Sequence, residues 1–350
     1  MAQYILKRLL LMVPTLLGIL LTTFVITQFV PGGPVEQLMQ DLRGKGVAGE
    51  VSSSASSGGV YRGRQGIDAE KLKEIKALYG FDKPAHERFF EMIKRYATFD
   101  LGTSYQQHKS VGSLIIEKLP VSISLGIWSF LIVYLVSIPL GIAKAVRNGR
   151  AFDFWTSTAI LVGYAIPGFV LGVALLVLFG GGSFLQLFPL RGLTSDNFAA
   201  MSIGAKIVDY FWHLAMPLAC LIVGSFAVTT MLTKNTFLEE IRKQYVVTAR
   251  AKGLSDNKVF YKHVFRNALI PLVTAFPAAF VGAFVTGSLL IETLFSLDGL
   301  GLLGYDAIMK RDYPVVMGSL FVFSIVGLIT KLVTDLCYIW VDPRVKFDAN

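Results

Sequence analysis

Long stretches of this chain show no alternation between apolar and polar positions; they stay apolar around the whole circumference of a helix. A helix needs about 20 mostly apolar residues to cross the hydrocarbon core of a bilayer. Six stretches are long enough: Leu9–Val30, Val121–Val146, Phe154–Gly180, Phe211–Leu232, Leu269–Ile291 and Val315–Trp340. Pro14, Pro139, Pro167, Pro217 and Pro277 are placed to kink them, because proline removes a helix hydrogen bond. The first stretch is too long for the apolar part of a signal peptide and no A-x-A pattern follows it, so it is read as a span.

The pattern changes between the first two stretches. Residues 44–66 hold seven Gly and five Ser and read as flexible. Leu72, Ile75 and Leu78 then recur at helical spacing within 68–79. Residues 84–96 read as a second amphipathic helix, opened by Pro84 and carrying Phe89, Phe90, Ile93 and Tyr96. This insertion, residues 31–120, is either a helical cap over the mouth of the spans or a docking surface for a partner.

Composition removes the soluble classes. Hydrophobic residues are 53% and charged residues 16% of the 350, and mean hydropathy is +0.58. A soluble chain carries roughly 25% charged residues. Cys220 and Cys337 lie in apolar runs without a CxxC spacing, and His86, His108, His213 and His263 show no HxxxH. A disulfide framework and a His-based metal site are therefore not signalled.

The net charge of +9 is a topology signal. Fifteen Lys/Arg against six Asp/Glu fall on one side of the spans, around Lys7, Arg8, Lys144, Arg147, Arg150, residues 234–266, Arg344 and Lys346. The short connections 181–210 and 292–314 carry four against six. The positive-inside rule puts both termini and residues 233–268 in the cytoplasm and residues 31–120 outside. Nothing in that distribution marks a nucleic-acid surface.

Catalytic motifs are missing. There is no GxxxxGK[ST] to cradle a nucleotide and no GxSxG elbow. Within the spans, Lys331 and Asp335 sit at i,i+4, where they are expected to pair along one helix face. Ser129, Tyr164, Pro167 and Phe169 are polar or aromatic span positions for which helix packing is the leading reading, so no substrate-binding residue is assigned.

Between the fourth and fifth spans, Phe237, Ile241, Tyr245 and Ala249 recur every four residues and predict a helix with one apolar stripe. Ala249, Ala251 and Gly253 are small enough to let another surface approach the backbone. Gly253 is suited to ending the helix and Ser255 to capping the next turn.

The run Tyr245-Val246-Val247-Thr248-Ala249-Arg250-Ala251-Lys252-Gly253-Leu254, followed by His263-Val264-Phe265-Arg266-Asn267-Ala268-Leu269-Ile270-Pro271, resembles the EAA loop of ABC-importer permeases in their dipeptide/oligopeptide branch. It departs from the general pattern with Val247-Thr248-Ala249 in place of E-A-A and with His263-Val264-Phe265-Arg266 at the end, as that branch does. Leu119-Pro120-Val121-Ser122, Ser137-Ile138-Pro139-Leu140-Gly141, Ala165-Ile166-Pro167-Gly168 and Phe295-Ser296-Leu297-Asp298-Gly299-Leu300-Gly301 are similar to the same branch, so the resemblance runs over almost the whole chain. Tyr79-Gly80-Phe81-Asp82-Lys83-Pro84, Phe188-Pro189-Leu190-Arg191-Gly192-Leu193 and Leu232-Thr233-Lys234-Asn235 resemble its oligopeptide and microcin C permeases.

The resemblance implies an all-α integral membrane protein with the six transmembrane helices of a type I ABC importer permease. Residues 1–30 would be the cytoplasmic N-terminus and first helix, 31–120 a periplasmic insertion, 121–341 the permease core and 342–350 a cytoplasmic tail. It implies an inner-membrane permease without catalytic or metal residues, importing oligopeptides and, in some members, peptide antibiotics of the microcin C kind. Its partners would be a second homologous permease, an ABC ATPase that holds the ATP and Mg, a periplasmic peptide-binding protein, the peptide and membrane lipid, and no nucleic acid. The ATPase-coupling residues would be Tyr245, Thr248, Ala249, Arg250, Ala251, Lys252, Gly253 and Leu254. A dipeptide or nickel permease is the alternative within the class. An ion-driven carrier or channel is the alternative outside it, but gives no reason for the small-residue helix.

Overall fold

The computed structural model of the chain describes residues 2–29, 82–180, 184–285 and 287–341. The flexible stretch expected at 44–66, the helix expected over 68–79 and the tail 342–350 lie outside them. Regular structure among the described residues is helical, apart from one isolated bridge between Thr103 and Ser110. The helices are α1 (Ala2–Phe29), α2 (Ala85–Tyr96), α3 (Val111–Val146), α4 (Ala151–Ala165), α5 (Gly168–Leu175), α6 (Ile203–Ile241), α7 (Gln244–Ala251), α8 (Asp256–Val259), α9 (Phe265–Ala268), α10 (Ile270–Val285), α11 (Leu289–Leu294), α12 (Leu300–Met309) and α13 (Tyr313–Val341).

Four of these, α1, α3, α6 and α13, are long and apolar enough to cross a membrane unbroken. Two further spans are bent pairs, α4 with α5 at 89° and α8–α9 with α10 at 48°, which makes six if each pair counts as one. The third expected span is thus two arms. Ile166 is extended (φ −88°, ψ 117°) because the ring of Pro167 crowds the helical conformation of the residue before it. The fifth expected span stops at Val285, short of Ile291. The Ser288 N–H there donates to the Glu292 carboxylate at 3.1 Å, and a separate helix, α11, begins.

The chain forms two compact units, one of Met1–Leu10, Ile116–Leu303 and Ile325–Asn350, the other of Leu11–Ile115 and Gly304–Ser324. The larger unit packs around Leu125, Leu214, Met216, Leu218, Cys220, Ile291, Phe295 and Leu297. Its helices meet backbone to backbone. A Cβ on Gly126 would lie 1.4 Å from the Ala283 carbonyl oxygen, and one on Gly141 would lie 2.6 Å from Thr233 Cβ and 2.8 Å from the Thr230 oxygen. In lipid, where burying an apolar side chain gains little, such close approach is the main source of helix attraction.

The expected Lys331–Asp335 pair is not formed. Asp335 is instead met by Arg8 at 2.9 Å and by the Tyr4 hydroxyl at 3.1 Å, while Lys331 is exposed. A guanidinium and a phenol arriving from α1 supply two donors to the carboxylate, where the i,i+4 lysine would have supplied one flexible donor.

In the smaller unit α2 lies against α13 through Tyr96 and Phe321, whose rings are 4.8 Å apart, and Gly318 backs onto Val111. The buried Asp312 carboxylate accepts from the Ser104 hydroxyl and, at 3.0 Å, from the Tyr105 N–H, fixing the loop before α3. Arg95 and Asp100 pair at 2.8 Å, and that hydrogen bond holds the Asp100 carboxyl below its ordinary range.

Gly141→Val should force α3 off α6. We expect a loss of about 1–3 kcal/mol, the usual cost of overpacking, read as a lower Tm of the protein in mild detergent; an unchanged Tm would mean that the contact is soft.

Candidate functional site

Three features of the larger unit could carry function: the segment after α6, a buried charge cluster beside it, and a cavity among the spans.

At the end of α6 the chain turns at Arg242–Lys243 and restarts as α7, so the predicted continuous stripe is interrupted. Lys243 is extended (φ −72°, ψ 149°), and Glu240 takes hydrogen bonds from both the Lys243 ammonium and, at 2.7 Å, the Tyr245 hydroxyl. The Glu240 hydrogen bond holds the Lys243 ammonium above its ordinary pKa. Burial, helped by the same carboxylate, raises that of the Tyr245 phenol. The break shifts the apolar face by one residue. Val246 is fully buried with Phe237 and Ala249 in a small core completed by Ala145, Val259, Val264 and Ala268, and Tyr245 packs half-buried against it.

The end of α7 is built as its sequence requires. Gly253 has φ +80°, a conformation costly for residues with a Cβ. Its N–H bonds the Arg250 carbonyl at 2.9 Å and the Leu254 N–H bonds the Ala249 carbonyl at 3.3 Å, the paired closure of a Schellman motif. Ser255 occupies the cap position of α8, but its side chain makes no capping hydrogen bond; Arg250 reaches Asp256 at 3.0 Å instead. Of the eight residues expected to couple, Thr248, Arg250, Ala251, Lys252, Gly253 and Leu254 are exposed, Tyr245 is half-buried and Ala249 is buried. The first six form an outward face; the last two anchor it.

The charge cluster escaped the sequence reading. Lys144 on α3 is fully buried, and its ammonium lies 3.2 Å from Asp153 Oδ1, 3.1 Å from the Asp153 carbonyl and 2.7 Å from both the Thr156 and Ser157 hydroxyls. Asp153 opens α4 and also pairs with Lys234 of α6 at 2.7 Å, while the Gly149 N–H donates to its other oxygen at 3.1 Å. Three helices are joined through one carboxylate. A single acid set among basic residues at a span boundary was the available signal.

The cavity, about 680 Å³, is lined from α3 by Ser129, Phe130 and Tyr134, from α4 by Tyr164, from α6 by Ser225 and Thr229, and near α10 by Ala279, Gly282 and Ser288. Ser129 and Tyr164 thus reach it, whereas Pro167 and Phe169 do not. None of the described lining residues carries a formal charge. Ser129 Oγ is buried with no hydrogen-bond partner among the described residues, so a polar ligand in the cavity would find a vacant donor and acceptor there. No described group of His, Cys, Asp and Glu could hold a metal ion.

The family described as binding-protein-dependent transport system inner membrane component matches residues 137–347. The chain is 54% identical to the peptidoglycan transport system permease protein YejB of Agrobacterium fabrum and 51% identical to the inner membrane ABC transporter permease protein YejB of Escherichia coli O157:H7, over 100% of both partners in each case. It is also 30% identical to the dipeptide transport system permease protein DppB of Bacillus subtilis, over 99% of this chain and 98% of that one.

Asp153→Ala would leave the buried Lys144 without its counter-charge. We expect about 3–5 kcal/mol of destabilisation, whereas the combined change Lys144→Met, Asp153→Leu and Lys234→Met should recover most of it, because an apolar set needs no solvation. Thermal unfolding of the two variants checks this; equal losses would refute it.

Proposed function

The chain belongs to the binding-protein-dependent transport system inner membrane component family and is a permease subunit of an ABC peptide importer; we propose that the exposed face of residues 248–254 is where a separate ATPase drives it. The observation that carries this reading is a short helix pinned by Val246 and Ala249 to the ends of α3 and α6, with its outer face left to small and cationic residues. The sequence has no P-loop, so ATP acts through a partner, and a partner can shift the permease only by binding its two states unequally. Displacement of α7 would then be passed to α3, α4 and α6 through the shared core and the Lys144–Asp153–Lys234 cluster.

The full assembly would contain this chain, a second homologous permease, the ATPase and a periplasmic binding protein, with both termini of this chain in the cytoplasm as its basic residues direct. The ligand would be an oligopeptide delivered from the periplasm and carried past the hydroxyls and aromatic rings of the cavity. The name of the Agrobacterium relative supports including peptides derived from peptidoglycan. Selection among peptides would rest mainly with the binding protein, since the described lining of the cavity offers no charge to read a side chain.

Two experiments test this. Mass spectrometry of whatever co-purifies with the tagged chain from its native membrane should find a second six-span permease and a P-loop ATPase; a chain isolated alone would return the ion-driven carrier to first place. Ala251→Trp adds bulk to the exposed face without disturbing the Gly253 turn. It should leave the chain inserted, yet cut peptide uptake at least about tenfold, as loss of an interface contact worth over 1 kcal/mol would. Normal uptake in that variant would show that the ATPase docks elsewhere.

A further inference from the structure

Glu292 is fully buried, and no described cation pairs with it. One oxygen accepts the Ser288 N–H at 3.1 Å and the other the Leu302 N–H at 2.7 Å. Glu292 lies on α11, four residues after its N-cap Ser288, and Leu302 lies in the first turn of α12, so the carboxylate bridges the start of its own helix to the start of the next. Glycines wall the group in. A Cβ on Gly299 would sit 2.6 Å from the Glu292 carboxyl carbon, one on Gly287 would sit 2.9 Å from Oε1, and one on Gly301 would sit 3.1 Å from Oε2. The corner is tied to α3 by the Lys118–Asp298 ion pair and by the Leu300 N–H, which donates to the Ser122 hydroxyl at 2.9 Å. The loop before α6 is tied to it as well, through the Gly192 N–H and the Phe295 carbonyl at 3.1 Å.

Ser288, the residue whose N–H the carboxylate holds, lines the cavity. We propose that Glu292 is the positioning residue of the periplasmic gate: it latches the corner formed by residues 287–302 over the outer end of the cavity, and a peptide enters when Ser288 and Leu302 part. This rests on the reading of the cavity as the transport path. The chemistry suits a latch better than a permanent tie. The hydrogen bond from Leu302 to the carboxylate is lost over a short displacement of α12, whereas interdigitated apolar side chains would yield gradually. The glycines keep the carboxylate sealed from water while closed, which strengthens both bonds.

The test uses the whole complex with Cys220→Ala, Cys337→Ser and Ser288→Cys, treated from the periplasmic side with a charged, membrane-impermeant maleimide. Adding Glu292→Gln makes one carboxylate oxygen an NH2 donor facing an N–H. Labelling at position 288 should then speed up by roughly tenfold or more, the shift in local opening expected from losing a charge-assisted hydrogen bond. A thiol at Gln107, exposed in the other unit, should label equally fast with or without that change. If Glu292→Gln fails to assemble, Gly299→Ala replaces it, since its methyl must displace the same carboxyl group. An unchanged labelling rate in an assembled complex overturns the proposal and leaves Glu292 a static cap. Labelling is read without peptide or ATP, so an error in the assigned substrate would leave this result standing.

Discussion

One carboxylate, Asp153, sets the geometry on which the ends of α3, α4 and α6 depend. It joins a fully buried lysine of α3 to a partly buried lysine of α6, and its own backbone begins α4. Taking an ammonium group out of water costs several kcal/mol even after relaxation, and the attraction to one carboxylate seldom recovers all of it. Lys144 is tolerated because, beside its ion pair with Asp153, its three protons find the Asp153 carbonyl and two hydroxyls, Thr156 and Ser157, from the first turns of α4. The arrangement adds little net stability but penalises any other relative placing of the three helix ends. A device of that kind suits a region that must move as a block.

The coupling segment gains its precision from an interruption. Had α6 run on to Gly253, Ala249 would have been held at the end of a long lever, aimed by the accumulated twist of a helix some 50 residues long. Instead Glu240 gathers Lys243 and Tyr245 at the break and α7 starts afresh on a core of Phe237, Val246 and Ala249. Those contacts are with residues next to Lys144 and Lys234, so the short helix and the charge cluster share a foundation. If the ATPase acts at the exposed face, as proposed, force there would enter α3 and α6 at once through the shared core.

Much of this was legible in the sequence. Apolar runs of twenty residues have one outcome in lipid, and the Tyr245–Leu254 motif marked a short helix together with the glycine that ends it. What the sequence could not show is how backbone continuity yields to local hydrogen bonding. The stripe through Phe237, Ile241, Tyr245 and Ala249 presumed an unbroken helix, and a turn of two residues moved burial from Tyr245 to Val246. The Lys331–Asp335 pair was inferred from spacing on one helix, but Arg8 lies over 300 positions away in sequence and no periodicity points to it. Glu292 looked like an ordinary acid in a short connection, because nothing local reveals that Gly287, Gly299 and Gly301 close around it.

The distribution of charge explains how such a protein can be driven from outside itself. Among the described residues of the larger unit, Lys144 and Asp153 are buried beside α7 and Glu292 in the corner before α12, while the described lining of the cavity is hydroxyls, aromatic rings and small residues. A secondary carrier needs ionisable groups along its path so that ion movement is bound to substrate movement. A wall without charge has no such coupling to offer, but it also holds no peptide firmly, so a zwitterionic chain can leave as readily as it enters. On the proposed reading, each buried group is a point where a partner would act: the ATPase where Lys144 and Asp153 brace the helices, the loaded binding protein where Glu292 would close the corner. Energy then enters as work on the protein's own hydrogen bonds and ion pairs, and the peptide follows the space that this work opens.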